Sequence, residues 1–284
     1  MNKWNLIIDV ALCENCNNCT LSAKDEYVGN DHLGYSAAAP LEGADLITID
    51  RQVRGEAPVL DTAYLVKMCN HCDDAPCMKV GGDAVKKRAD GIVIIDPVKA
   101  KGRRDILEAC PYGAISWNTD KELPQNWIFD AHLLDQGWRH PRCQQACPTD
   151  VFEAVKISDE QMAKRAQAQG LRVLQAELGT RPRIYYKNLY RFTHCFIGGT
   201  VVAVVNGVEN CVVNAEISLY RGGERVGATS SDEFGEFKLD QLEAGSGDYS
   251  IEINHPQLGR AECETSLGGS GDSIYLGVIT LNAG

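Results

Sequence analysis

Near the amino terminus, Cys13-Glu14-Asn15-Cys16-Asn17-Asn18-Cys19 sets three thiols at C-x2-C-x2-C spacing. That spacing gathers three sulfurs around one point, as in the run C-x2-C-x2-C-x3-C-P that ligates 4Fe–4S clusters. The fourth cysteine of such a run ligates the other cluster of a pair, so one run implies a partner run elsewhere. Here the fourth position, four residues after Cys19, is Ala23.

Three further runs follow. Cys69-x2-Cys72-x4-Cys77 is the second, with Gly81 where a fourth cysteine would fall. The third is exposed by an internal repeat: Ile7-Ile8-Asp9 before Cys13 is echoed by Ile94-Ile95-Asp96 before Ala100, which aligns Ala100, Arg103, Ile106 and Cys110-Pro111 with a cluster run. The fourth places Trp127 and Asp130 ahead of Cys143-x3-Cys147-Pro148. Each run's first three cysteines pair with the last cysteine of its partner run. Cys13, Cys16, Cys19 and Cys147 then make one complete set, and Cys69, Cys72, Cys77 and Cys110 another. The remaining two sites fall on Ala23, Trp127, Asp130 and Cys143, and on Gly81, Ala100, Arg103 and Ile106, which hold no cubane. Two whole sites are deleted, a pattern that random ligand loss rarely produces. The chain therefore predicts two 4Fe–4S clusters, with Trp127 filling one vacated hole and Ile106 with the stem of Arg103 filling the other. Zinc also takes four thiolates, but two Cys-Pro ends at cluster spacing are not a zinc-ribbon pattern. Cys143 reads as a leftover thiol and His71 as a hydrogen-bonded surface residue.

Composition narrows the partners. A net charge of −11 lacks the basic footprint of a nucleic-acid or acidic-membrane binder, and no apolar run approaches the ~20 residues of a membrane span. Twelve cysteines without an export signal read as metal ligands in the cytoplasm rather than disulfides. No P-loop, dinucleotide fingerprint, H-E-x-x-H or nucleophile elbow is present, so no catalytic residue is assigned.

The segments Ile8-Asp9-Val10, Lys99-Ala100-Lys101-Gly102, Cys110-Pro111-Tyr112-Gly113, Ala131-His132-Leu133-Leu134-Asp135 and Arg181–Phe192, set among these runs, resemble the iron–sulfur (beta) subunits of molybdopterin enzymes of the dimethyl-sulfoxide-reductase type. The similarity is greatest to the transhydroxylase branch, which acts on polyhydroxylated aromatics. The resemblance implies a large catalytic partner that binds molybdopterin with Mo or W, and clusters strung in a line. In that line the set with Cys13 lies near the molybdenum and the set with Cys69 lies far from it. The branch lacks the site matching Gly81, Ala100, Arg103 and Ile106; this chain also lacks ligands at Ala23, Trp127 and Asp130.

The fold class expected is α+β: a ferredoxin-like iron–sulfur domain with an internal repeat over 1–155, a helix and extended linker contacting the large subunit over 156–196, and a small all-β domain over 197–284. Residues 24–64 read mostly as loop, with one short strand at Leu46–Asp50. Ser158-Asp159-Glu160-Gln161 is a capping box opening a helix that Gly170 stops. Short β-rich runs after Gly198, divided by Gly, Asn and Asp turns, resemble a transthyretin-like sandwich. Three functions follow: a non-catalytic subunit of a molybdenum transhydroxylase, an electron-relay subunit of a related hydroxylase, dehydroxylase or reductase, and a free ferredoxin-like carrier.

Overall fold

The computed structural model describes residues 1–269 and 272–282. Close packing divides the chain into two compact units, Met1–Arg51 with Tyr64–Leu189, and Gln52–Ala63 with Tyr190–Gly284.

The first unit is organised on the strand Lys3–Asp9, which pairs antiparallel with Phe152–Ile157 and parallel with Ile184–Lys187. Alternation along Lys3–Asp9 turns Ile7 toward Met162 and Leu171, and so seats the helix Asp159–Gln169 on one face of the sheet. That helix opens on the predicted capping box, with Gln161 N–H donating to Ser158 Oγ and Ser158 N–H to Gln161 Oε1, and Gly170 closes it at φ +62°. The internal repeat is visible in the turns. Asp9 Oδ1 accepts from Ala11 N–H at 3.0 Å, and Asp96 Oδ1 accepts from Val98 N–H at 3.0 Å, so each Ile-Ile-Asp ends its strand in the same side-chain-closed turn. The second repeat closes a hairpin of Val85–Lys87 with Val93–Ile95, and a further hairpin pairs Ile115–Asn118 with Leu123–Asn126.

Residues 24–64 hold the strand expected at Leu46–Asp50, as the first half of Ile47–Glu56, and more regular structure around it than expected. The helix Asn18–Tyr27 reaches into them, and Ile47–Glu56 pairs with Val59–Met68 as a long two-stranded ribbon. Gly55 and Pro58 punctuate the sequence there and mask the alternation on either side. Gly55 sits at φ +78°, where a Cβ would come within 2.4 Å of the Val59 carbonyl oxygen. The segment expected as a linker contains the strand Ile184–Lys187, whose Tyr186 is buried and donates to the Val66 carbonyl oxygen at 3.0 Å.

In the second unit Cys195–Val205 is central to one sheet, antiparallel to Glu236–Leu242 and Val208–Cys211 and parallel to Ile274–Thr280. A second sheet runs in the order Glu224–Ser230, Glu216–Arg221, Gly247–His255, Gly259–Leu267, every neighbour antiparallel. Ile197, Val201, Phe237 and Leu239 of the first sheet and Ile217, Leu219, Ile251 and Ile253 of the second belong to one buried core. Three of these strands, Val208–Cys211, Glu224–Ser230 and Gly259–Leu267, go unread in the sequence because they are largely polar and show water much of their surface.

Arg54 is the buried charge of this unit. Its guanidinium donates to Asp240 Oδ1 and to the His194 carbonyl oxygen, both at 2.9 Å, pairs with Asp61, and lies over the Phe196 ring. Burial works to raise the Asp61 carboxyl, but hydrogen bonds from Arg191, Arg54 and Lys238 outweigh it and hold the group well below the usual carboxylate range. A carboxyl depressed on folding stabilises above its unfolded value, about 3.9. The contribution fades as pH falls below about 4. Arg54→Met is expected to cost the second unit about 3 kcal/mol, and Asp61→Asn to flatten its acid limb, both read by denaturant unfolding followed by far-UV circular dichroism across pH 3–7.

Candidate metal centres

Cys13, Cys16, Cys19 and Cys147 line one small cavity, walled on its apolar side by Ile49, Val66, Val151 and Phe152. Local conformation brings the first three together. Asn15 and Asn17 are left-handed, at φ +55° and +61°, and each turns the chain back so that the next cysteine faces the same point. Cys19 then sits in the first turn of the helix Asn18–Tyr27. Cys147 arrives from the far end of the unit, in the extended conformation favoured before Pro148, just after the helix Arg142–Ala146. Asn18 Nδ2 donates to the Ala146 carbonyl oxygen at 3.4 Å, tying the two ends.

The second set converges likewise. Cys72 and Cys77 belong to one buried cluster with Ile95, Ala100 and Ile106, and Cys110 packs against it. Cys77, Cys110 and Cys72 lie near enough that their charges raise the Cys69 thiol. The repeat reappears here: His71 is left-handed at φ +46°, as Asn15 is, and each donates its backbone N–H to the cysteine two residues earlier. Lys87 Nζ pins this loop by donating to the carbonyl oxygens of His71, Cys72 and Gly91 at 2.8, 3.0 and 3.0 Å. It also pairs with Asp73 Oδ1 at 2.8 Å, and Arg183, 4% exposed, joins Asp73 as well. Sequence reasoning does not single out Lys87, and reaches Arg183 only as one residue of the Arg181–Phe192 segment; long-range packing reveals the loop that both hold.

Burial dominates the chemistry of both sets. It pushes the Cys19 and Cys77 thiols up to about 11, and raises Cys13, Cys69 and Cys72, with neighbouring sulfurs adding repulsion in each case. Thiolate is the ligating form. Sulfurs crowded and desolvated in this way become thiolates when a cation lies among them. Four thiols at one point, twice, is a donor set for soft metal or iron–sulfur chemistry.

A profile for a 4Fe-4S dicluster domain matches residues 60–157. The pyrogallol hydroxytransferase small subunit of Pelobacter acidigallici is 42% identical over 257 residues, spanning 89% of this chain and 91% of its own length. A putative dimethyl sulfoxide reductase iron–sulfur subunit of Halobacterium salinarum is 32% identical, spanning 66% of this chain and 80% of its own. A tetrathionate reductase subunit of Salmonella typhimurium is 28% identical over 66% of this chain and 73% of its own length. The chain belongs to the family of iron–sulfur subunits that includes the pyrogallol hydroxytransferase small subunit.

In this iron–sulfur subunit the positions without cysteine are closed over. Trp127 is 0% exposed, stacked on Phe129 at 4.9 Å and tilted against His71 at 5.7 Å. Asp130 and Cys143 are buried; Tyr27 Oη donates to Asp130 Oδ1 at 2.6 Å and the Arg142 backbone N–H to Oδ2 at 2.7 Å. At the other site Ile106 is buried, and a Cβ on Gly81 would meet Val85 Cγ2 at 2.3 Å and Ile106 Cδ1 at 3.3 Å, so apolar side chains occupy the space. The head of Arg103 turns to Asp105 at 2.7 Å and to the Val80 carbonyl oxygen at 3.0 Å on the exposed surface, because an unpaired guanidinium gains nothing beside an apolar cluster. His71 departs from expectation. It is 1% exposed, Val93 N–H donates to its Nδ1 at 3.0 Å, and burial drives its pKa down to about 3, so it is a neutral ring with its proton on Nε2. Trp127→Ala is expected to lower the stability of the first unit by about 3–5 kcal/mol, measured by urea unfolding; a negligible change would exclude Trp127 as the filler of the vacated position.

Proposed function

We propose that the chain is the non-catalytic iron–sulfur small subunit of a molybdopterin transhydroxylase acting on polyhydroxylated aromatics of the pyrogallol and phloroglucinol kind. The observation that carries this reading is the 42% identity to the pyrogallol hydroxytransferase small subunit across nine-tenths of both chains. In this reading Cys13, Cys16, Cys19 and Cys147 hold one 4Fe–4S cluster, and Cys69, Cys72, Cys77 and Cys110 hold the other. The convergence of each thiol set supports that assignment. Molybdopterin, with Mo or W, is held by a large catalytic partner in a cytoplasmic heterodimer. No described helix is long and apolar enough to cross a membrane. Residues 156–196 present part of the docking surface, where Arg181 is exposed, and two four-stranded sheets over one core support a transthyretin-like sandwich for residues 197–284.

The cluster assignment is tested by composition. The anaerobically reconstituted chain is expected to carry about 8 iron atoms, and Cys13→Ser and Cys147→Ser to abolish the same paramagnetic signal; about 12 or 16 iron, stoichiometric zinc, or two different signals lost would overturn it.

The reductase subunits among the relatives favour a second reading, an electron relay. The two readings differ in what the far cluster does. A redox-neutral hydroxyl transfer needs no electron export, so the set with Cys69 is structural and remains oxidised through turnover of the assembled enzyme. Rapid-freeze paramagnetic resonance after substrate addition decides: reduction of that centre within a turnover time, or activity that requires a stoichiometric external acceptor, would favour the relay.

A further inference from the structure

The helix Asn18–Tyr27 carries Glu26 one turn beyond Ala23, and the helix Ala131–Asp135 carries His132 two residues after Asp130. Glu26 Oε1 lies 2.7 Å from His132 Nε2 and 3.7 Å from His32 Nε2, and the three donor atoms all fall within 4.8 Å of one another. The two imidazoles stack at 3.9 Å with their planes 30° apart, which turns both Nε2 atoms toward the same oxygen. A hydrogen bond accounts for one of them. The second is too far for one, and meets instead the Glu26 carbonyl oxygen at 3.1 Å.

Two imidazole nitrogens and one carboxylate oxygen are the protein ligands of open zinc sites, in which water completes the tetrahedron. Second contacts fix the carboxylate as such sites require. Arg142 Nη1 donates to Glu26 Oε2 at 2.5 Å, and Nη2 of the same residue pairs with Asp25 at 2.6 Å. That guanidinium repels a cation, but Asp25 and Glu26 together leave the group net negative. His132 Nδ1 has no hydrogen-bond partner, so the ring can carry its proton there and free Nε2 without breaking another bond. The side chains of Glu26, His32 and His132 are 13%, 16% and 6% exposed, sheltered but open to entry.

We propose that Glu26, His32 and His132 bind one divalent first-row transition cation, zinc foremost. The position gives the ion a purpose. A cluster at the vacated fourth-run site would have joined Ala23 on the helix Asn18–Tyr27 to Asp130. The mononuclear ion joins the same two elements one step outward, Glu26 to His132, and restores the cross-link that the missing thiols gave up.

The test uses the full chain with its iron–sulfur complement loaded, so that the eight cluster cysteines do not capture the probe. Zinc chloride is titrated in, unbound metal is removed, and metals are counted with iron as the internal standard. The expected result is one zinc per chain beyond an unchanged iron content, with an X-ray absorption shell at about 2.0–2.1 Å from nitrogen and oxygen and none at about 2.3 Å from sulfur. His32→Ala, at the most exposed ligand, is expected to retain iron and weaken zinc binding ~100-fold or more. His132→Gln supplies an independent second variant. A sulfur shell, no retained zinc, or wild-type zinc affinity in an iron-replete His32→Ala protein would overturn the proposal.

Discussion

The first unit depends on one unfavourable arrangement: sulfurs from distant stretches of chain crowded together, most of them partly or wholly shielded from water. Burial and then mutual repulsion raise the thiols of Cys13, Cys19, Cys69, Cys72 and Cys77, so the protein alone has no electrostatic reason to gather them. Everything nearby compensates for that. Asn15 and His71 adopt left-handed backbone to aim an N–H at a sulfur, and Lys87 and Arg183 hold the Cys69–Cys72 loop by pairing with Asp73 at its end. Such effort around a set of groups that repel one another makes sense when positive charge lies among them.

The vacated sites obey the opposite rule. Where ligands are gone the interior reverts to ordinary packing, with Ile106 and Val85 closing one hole and Trp127 on Phe129 at the other. Close-packed interiors tolerate no cubane-sized void. The two losses are handled differently: one becomes apolar, whereas the other keeps a buried carboxyl, Asp130, which survives because Tyr27 and the Arg142 backbone each donate to it.

The cysteine grouping was legible in the sequence because ligand spacing is a local, covalent pattern, which the register of the repeat extended to Cys110 and the pairing of partner runs to Cys147. The capping box at Ser158 was legible for the same reason. Of the ribbon only the first half of Ile47–Glu56 was, as the strand expected at Leu46–Asp50; its continuation and Val59–Met68 were not, since glycine and proline at their junction look like loop and the pairing partner is needed to recognise the strands. His71 was misread because nothing local distinguishes an exposed histidine from one whose Nδ1 meets a backbone N–H from Val93. Arg54 was invisible for a similar reason: its partners Asp240 and His194 are far away in the chain. Polar, exposed strands such as Glu224–Ser230 lack the alternation that marks a half-buried strand.

The two thiol sets are nested: residues 69 to 110 lie wholly between residues 19 and 147. Nesting imposes an order of assembly. The inner set is complete once the ribosome has passed Cys110, while the amino-terminal three thiols wait for Cys147. At ordinary elongation speed the gap between Cys19 and Cys147 is on the order of ten seconds. For that interval Cys13, Cys16 and Cys19 wait for their fourth member, so the amino-terminal set, begun first, is the later of the two to be completed.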